Sequence, residues 1–460
     1  MTGMMQLGQA AQWMPESRLL GPAHLDILRV HTDSRTVEPG DLFVALKGER
    51  FDANTLLDDA RQSGAVAAVC HPGAAMGMPG FACIEVPDTK RALGALATAW
   101  RKQFQLPLIT VTGSNGKTTV TQMLASILDS HAPDGAALAT RGNLNNDIGV
   151  PLTLLRLRAT HQLAVIELGM NHPGEIAVLA AMAQPTVALV NNAQREHLEY
   201  MHTVHAVAQE NGAVITALST EGTAVFPSDD TYTPLWLALA GARATSQFGP
   251  QSTGAPSVHC IAAVWQGAGW QVHARSAGVD LHYTLAIAGR HNVKNSLAAI
   301  ACALAAGVTV PSIVRGLQAF VPVKGRSRAQ QVQMGGRSCT VVDDTYNANP
   351  DSVRAAIDVL AELPEPRVLV LGDMGEVGQD GPQFHAEVGR YAQSQGIDHL
   401  KTIGTLAVHA SQVFDGAQHF ETMESLIAAV QSDMPAVSSV LVKGSRFMRM
   451  ERVVEALHAH

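Results

Sequence analysis

The stretch "LITVTGSNGKTTV", Leu108 to Val120, limits what this chain can fold into more than any other. A β-branched apolar run ends at Thr112, and Gly113 and Gly116 follow with Ser114 and Asn115 between them. After Lys117, Thr118 and Thr119, the residues Val120, Met123, Leu124, Ile127 and Leu128 recur at helical spacing. The pattern is strand, tight glycine loop, helix. At such a junction, free backbone N–H groups and the helix dipole both favour a phosphate. The commonest loop of this kind reads G-x-x-x-x-G-K-[ST]. Counting back from Gly116 places Val111 at its first glycine, so the cradle here is the shorter T-G-x-x-G-K-T. Lys117 is then the cation for terminal phosphates, and the Thr118 hydroxyl is a ligand for Mg²⁺. A structural turn with one solvated lysine is the alternative, and G-K-T-T directly after a β-branched strand argues against it.

A loop of this type needs a parallel sheet around it, and the chain offers one. Apolar runs at "LITVTG", "QLAVIELG", "TVALVNN" and "GTAVF" alternate with helical patterns, as in a mostly parallel sheet covered on both faces. Residues 257 to 288 alternate more strictly and predict an antiparallel subsheet. Before Pro107, short strands ("GDLFVAL", "AVAAVC", "FACIEV") lead to the helix "TKRALGALATAWRKQF". After Pro322 the strand–turn–helix pattern restarts at "CTVVDDTYNANP", "RVLVLGDMGE", "LKTIG" and "SSVLVKGS". The expected organisation is an α/β protein with domains at 1–106, 107–322 and 323–460. At 460 residues, several cores are required in any case.

The net charge of −8 disfavours a nucleic-acid binder that relies on a basic field. Five scattered cysteines without a C-x-x-C pair predict reduced thiols in a cytoplasmic protein. The N-terminus lacks a basic region followed by an apolar run, so no secretory signal is expected. The most apolar segment, Leu297 to Val308, is too short to span a membrane and reads as a buried helix.

A magnesium–nucleotide site needs a carboxylate near the loop threonine. Glu167 follows the run Leu163 to Ile166 at a strand's carboxyl end, where open parallel sheets gather their ligands. A solvated surface acid is the alternative. His197, past the next strand end, is either a metal ligand or a packed histidine.

Taken in order, T-G-x-x-G-K-T-T, "ELGMN", "HLE" and "GRHNVKN" resemble the ATP-dependent Mur ligases of peptidoglycan synthesis and their folylpolyglutamate synthetase relatives. "TDSRTVEPGDLFVALKGERFD", "RGNLNNDIGVPLTLL", "VDDTYNANPDS", "LVLGDMGEVG" and "LVKGSRFMRMERVV" extend the resemblance over nearly the whole chain. Within that family they resemble the member that adds a dipeptide. The resemblance implies a small α/β UDP-binding domain, a central P-loop ATPase domain and a C-terminal Rossmann-like domain. It implies ligation of D-Ala-D-Ala to UDP-MurNAc-tripeptide through an acyl phosphate, by a cytoplasmic monomer that binds neither nucleic acid nor membrane.

Residue by residue, it implies ATP contacts from Gly113 to Thr119 and from Asn292, Asn295, Arg326 and Asp344. Thr118, Glu167 and His197 would hold metal, with two Mg²⁺ ions expected, and Lys117, Glu167 and His197 would be catalytic. Ser34, Arg35, Lys47 and Gly48, with Asp52 nearby, would face the UDP-sugar, as would Asn143, Asn145 and Asn146 in the cleft. Asn347, Asn349, Lys443 and Arg446 would receive the dipeptide. An N-cap role is the other reading of Asn292.

Two positions depart from the family pattern. Where many Mur ligases carry a carbamylated lysine, this chain has Asn211, with Ala213 at the following acid, so no carbamate is expected. Three substitutes are open: Glu210 replaces the charge, the Asn211 amide holds the metal's water shell, or the second ion binds weakly. The favoured one is the neutral amide as a positional stand-in. "FDAN" (Phe51 to Asn54) also stands where a glycine–histidine pair is usual. The rival functions are a sister amide ligase and, in another class, a P-loop NTPase switch without ligation.

Overall fold

The computed structural model of the chain describes residues 3–251, 257–266, 269–334 and 337–458. Among these, three larger sheets follow one another along the sequence. Strands between Arg18 and Glu85 form a five-stranded sheet, parallel except for its edge strand Arg18–Leu20. Strands between Leu108 and Leu285 form a nine-stranded sheet. Strands between Arg328 and Lys443 form a six-stranded sheet, parallel except for its edge strand Arg328–Met334.

In the central sheet, Leu108–Thr112 lies between Leu163–Glu167 and Val187–Val190, parallel to both. These strands are buried on both faces, which explains their uninterrupted apolar runs. Their carboxyl ends therefore converge on one edge, carrying Thr112, Glu167 and Val190. The glycine loop, Glu167 and the segment 191–197 all leave the sheet there. The predicted antiparallel portion is present as Ser257–Gln266, Gly269–Ser276 and Val279–Leu285. It is no separate subsheet: Ser257–Gln266 pairs in parallel with Ala244–Gly249 and so continues the same sheet. Residues 267 and 268, inside the predicted antiparallel portion, lie outside the described residues.

The first two blocks share a core. One apolar cluster joins Leu42, Val44 and Ile84 of the five-stranded sheet to Leu93 and Leu96, and then to Val150 and Ile176 beside the central sheet. The helix Thr89–Arg101 makes this join. Its Arg101 donates to the carbonyls of Ala183 (2.9 Å) and Gln184 (3.2 Å), and Trp100 Nε1 donates to that of Leu157 (3.1 Å). Asp88 starts the helix by accepting from the N–H groups of Lys90 and Arg91. The third sheet has its own clusters on its two faces. Its docking to the central block is part apolar, with Ala288 and Trp265 packed into one of those clusters, and part polar, at the loop and at residues 195–197. No helix among the described residues is long and apolar enough to cross a membrane.

Candidate active site

The loop is built as its sequence requires. Gly113 and Gly116 have φ of 128° and 82°, in the region open chiefly to glycine. A Cβ on Gly113 would meet Asn191 Cβ at 3.0 Å, and one on Gly116 would meet Asn295 Oδ1 at 2.6 Å. Lys117 begins the helix Lys117–His131, with Gly116 at its N-cap. Four asparagines brace the turn in a chain. Asn292 Oδ1 accepts from Asn295 (2.8 Å), Asn295 Oδ1 accepts from Asn191 (2.9 Å), and Asn191 Nδ2 also donates to the Asn115 carbonyl (2.8 Å). Asn292 itself donates to the Ala288 carbonyl, while Gly289 caps the helix Arg290–Ala305. The N-cap reading of Asn292 is thereby overturned.

A polar cleft of 1320 Å³ opens above the loop. It is lined by Ser114 to Thr119, Asn143, Asn145, Asn146, Glu167, His197, Asn292 and Asn295 from the central block. From the third block, Arg326, Asp344, Asn347, Asn349, Lys443 and Arg446 join them. Most of the residues named from sequence thus meet in one cavity with the loop. Ser34, Arg35, Lys47 and Gly48 do not line it. Arg35 folds back on Asp33 (2.6 Å), Lys47 lies 3.7 Å from Asp52, and Gly48 N–H donates to the Phe51 carbonyl. The departure at "FDAN" has a local use. Asn54 Oδ1 accepts from the His71 N–H (2.9 Å), and Asp52 caps the turn at Ala53.

At the floor, the Thr118 hydroxyl donates to Glu167 Oε1 (3.2 Å), and Asn145 Nδ2 donates to the same oxygen (2.8 Å). Glu167 is 2% exposed, and its Oε2 is buried without a hydrogen-bond partner. A buried carboxylate oxygen left so is costly unless something cationic completes it. Hydroxyl and carboxylate oxygens are also the donor set that magnesium takes, few from protein and the rest from water. No cluster of three or more His, Cys, Asp or Glu side chains among the described residues would by itself hold a metal. Lys117 Nζ rests on the Gly113 and Ser114 carbonyls and 2.8 Å from Glu196 Oε1. His197 Nδ1 lies 2.6 Å from Glu376 Oε2 of the third block, and this contact holds the Glu376 carboxyl below its usual range.

The third block approaches through several such contacts. Arg326 Nη2 donates to the Thr118 hydroxyl (3.0 Å), and Asn349 Nδ2 to Asn115 Oδ1 (3.0 Å). Asn349 also caps the helix Pro350–Ala361 through the Ser352 N–H. Lys443 is no free cation: its ammonium donates to Asp344 (2.5 Å) and to the Asn347 carbonyl (2.9 Å). Burial opposes charge on Asp344, but Lys443 outweighs it and holds the carboxyl below its usual range.

Sequence reasoning missed Arg195, Glu196 and Glu376. Arg195 grips Asp351 through Nε (3.0 Å) and Nη2 (2.6 Å), and Glu387 through Nη1 (2.8 Å). Burial opposes its charge, but Glu387 and Asp351 raise its pKa overall. Arg195→Ala leaves two acids of the third block, Asp351 and Glu387, without their partner across the junction. After discounting for partial exposure, docking should weaken by about 1–2 kcal/mol, roughly tenfold. Small-angle scattering should show a larger radius of gyration; an unchanged radius with unchanged turnover would remove Arg195 from the docking contact.

Asn211 does not face the cleft. It is 1% exposed, its Oδ1 accepts from the Gly113 N–H (2.8 Å), and its Nδ2 donates to the Val207 carbonyl (3.1 Å). The expectation that its amide holds a metal's water shell is therefore corrected: both ends of the amide are committed. Asn211→Ala orphans a buried N–H inside the loop, which costs about 1–3 kcal/mol. The expected outcome is a lower melting temperature and a higher ATP concentration for half-maximal rate. A variant equal to the parent in both would show that the loop does not need this bond.

Three family models match the chain in the same order: "Mur ligase family, catalytic domain" over residues 26–101, "Mur ligase middle domain" over 111–303, and "Mur ligase, glutamate ligase domain" over 327–446. The UDP-N-acetylmuramoyl-tripeptide–D-alanyl-D-alanine ligase of Escherichia coli K12 is 38% identical over 95% of this chain and 94% of its own. The Bacillus subtilis ligase of the same name is 30% identical over 93% of this chain and 92% of its own. Among solved structures, MurF from Acinetobacter baumannii superposes with a TM-score of 0.89, at 36% identity, covering 100% of this chain and 99% of that one. MurF from Thermotoga maritima, solved in complex with ADP, gives 0.82 at 25% identity, covering 94% and 97%. With these matches running over nearly its whole length, the chain belongs to the Mur ligase family.

Proposed function

We propose that the protein joins D-Ala-D-Ala to UDP-N-acetylmuramoyl-tripeptide, using ATP, in the cytoplasmic synthesis of peptidoglycan precursors. The observation that carries this reading is the cleft itself. A lysine-bearing phosphate loop on one block faces cations and amides of another, Arg326 on Thr118 and Asn349 on Asn115. A switch NTPase needs no such second wall. Full-length similarity to ligases of this name supports the choice of substrates. A monomer acting on small molecules, with domains near 1–106, 107–322 and 323–460, completes the proposal.

In the reaction, a terminal carboxylate oxygen of the tripeptide attacks the γ-phosphorus and ADP departs. The resulting acyl phosphate has a good leaving group where the free carboxylate had none. The dipeptide amine attacks its carbonyl carbon, and phosphate leaves carrying that carboxylate oxygen. Protein catalysis here is positioning and charge neutralisation. The N–H groups at the helix start, from Gly116 to Thr119, would cradle the phosphates, and Lys117 would turn from Glu196 to neutralise the terminal one. Arg326 adds charge from the opposite wall. Thr118, Glu167 and His197 would hold Mg²⁺, which when bound neutralises phosphate oxygens in the transferring group. Asn347, exposed in the cleft, and Arg446, which pairs with Glu451, would receive the dipeptide. Lys443 is neutralised by Asp344 and shapes the floor through the Asn347 carbonyl. Ser34, Arg35, Lys47 and Gly48 would meet the UDP end outside the cleft, with Asn143, Asn145 and Asn146 between.

The test is a substrate matrix: protein, ATP and Mg²⁺ with the UDP-tripeptide and one amine at a time. Phosphate release only with D-Ala-D-Ala, together with a pentapeptide-sized product, is the expected result. Release with a single amino acid, or with no amine, would replace this reading by a sister ligase or by an NTPase.

A further inference from the structure

We infer that Glu196, and not position 211, supplies the anionic oxygen for a second divalent cation beside the transferring phosphate. The inference rests on the proposed ligase reading and adds a ligand to its site. Of the open substitutes for a carbamate, two are closed by geometry. The Asn211 amide is spent on Gly113 and Val207, and the Glu210 carboxylate on the N–H groups of Gly174 and Ile176 (both 2.8 Å). Neither residue lines the cleft.

Glu196 does line it. Its side chain is 11% exposed, Oε1 meets Lys117 at 2.8 Å, and Oε2 is buried without a hydrogen-bond partner. His197 Nε2 lies 3.6 Å from Oε1. On its other side, His197 Nδ1 lies 2.6 Å from Glu376 Oε2, an ion-pair contact without hydrogen-bond alignment, and Nε2 is the nitrogen nearer Glu196. A carboxylate that fixes the far nitrogen of an imidazole is how proteins aim a histidine at a metal. Glu376 is therefore a positioning residue that arrives only when the third block docks.

Charge gives an order of events. Within the protein, Lys117 neutralises Glu196. When the terminal phosphates draw Lys117 away, the carboxylate is left uncompensated next to an imidazole nitrogen and the incoming phosphate oxygens. A divalent cation restores the balance with one carboxylate, one imidazole, phosphate and water, within magnesium's habit of taking few protein ligands. The second ion thus follows the nucleotide.

The experiment counts Mn²⁺ ions bound to the full-length protein by electron paramagnetic resonance and calorimetry. A non-hydrolysable ATP analogue and UDP-MurNAc-tripeptide are present. Two ions are expected for the parent protein, and one for Glu196→Gln. Glu196→Asp keeps the charge and should keep the second ion with weaker affinity, which guards against a misfolded glutamine variant. The Mg²⁺ concentration for half-maximal turnover should rise at least about tenfold in Glu196→Gln. Two ions bound to Glu196→Gln with parental affinity would overturn the inference. So would a parent protein that ligates with a single ion bound. A parent protein that binds two ions and forms no amide would instead refute the ligase reading.

Discussion

Lys117→Met is expected to lower ligation turnover at least about a hundredfold, the usual scale for removing one key electrostatic contact to a developing charge. Methionine keeps the aliphatic stem and removes only the ammonium, so the helix start at Lys117 is preserved. The three partners of that ammonium, the Gly113 and Ser114 carbonyls and Glu196, all belong to the loop or the strand end beside it. They tether the group where phosphate would displace them. The substitution also strips Glu196 of its counter-charge in a nearly buried setting, so the melting temperature should fall as well. Turnover must then be read well below the melting transition, with phosphate and product measured together. A near-parental rate in folded Lys117→Met would remove this loop from the chemistry.

Glu167→Gln carries the second large effect, again at least about a hundredfold in turnover. The substitution isolates charge from packing. The new side chain can still accept from Thr118 and Asn145 through its amide oxygen, as Glu167 Oε1 does. The buried Oε2, which has no partner in the protein, becomes an NH₂ group and can no longer meet a cation. Stability should change little, or rise, because an unpaired buried charge is removed. The Mg²⁺ requirement should move to higher concentration. A Glu167→Gln enzyme with parental rate and parental Mg²⁺ dependence would make Glu167 a structural acid.

How much of this was readable in the sequence depends on how far apart the interacting residues lie. The strand–loop–helix at Leu108 to His131 and the placement of Glu167 at a strand end were legible, because local periodicity sets both. The nine-stranded sheet was legible as mostly parallel, but not as one continuous sheet through residue 285, since edge pairing of Ala244–Gly249 with Ser257–Gln266 leaves no local mark. The shared core of the first two blocks was hidden for the same reason. The helix Thr89–Arg101 has an ordinary amphipathic pattern, and nothing in it says which neighbour receives its apolar face.

In the site, residue type pointed to the wrong chemistry where a distant partner intervenes. Lys443 reads as a free cation until Asp344 is seen beside it. Asn211 reads as a ligand position until the Gly113 N–H is found to occupy its oxygen. Glu196 and Arg195 sat unremarked next to His197. Their importance comes from burial and from partners on other segments, Lys117 for one and Asp351 with Glu387 for the other.

The most direct test of the account is the fate of the carboxylate oxygen. UDP-MurNAc-tripeptide labelled with ¹⁸O in its terminal carboxylate is turned over with ATP and D-Ala-D-Ala, and the released phosphate is analysed by mass. The account predicts one labelled oxygen in the phosphate for each amide formed, because the acyl phosphate hands that oxygen to phosphorus. Unlabelled phosphate released alongside amide would mean that the γ-phosphoryl group never reached the carboxylate, and would contradict the account.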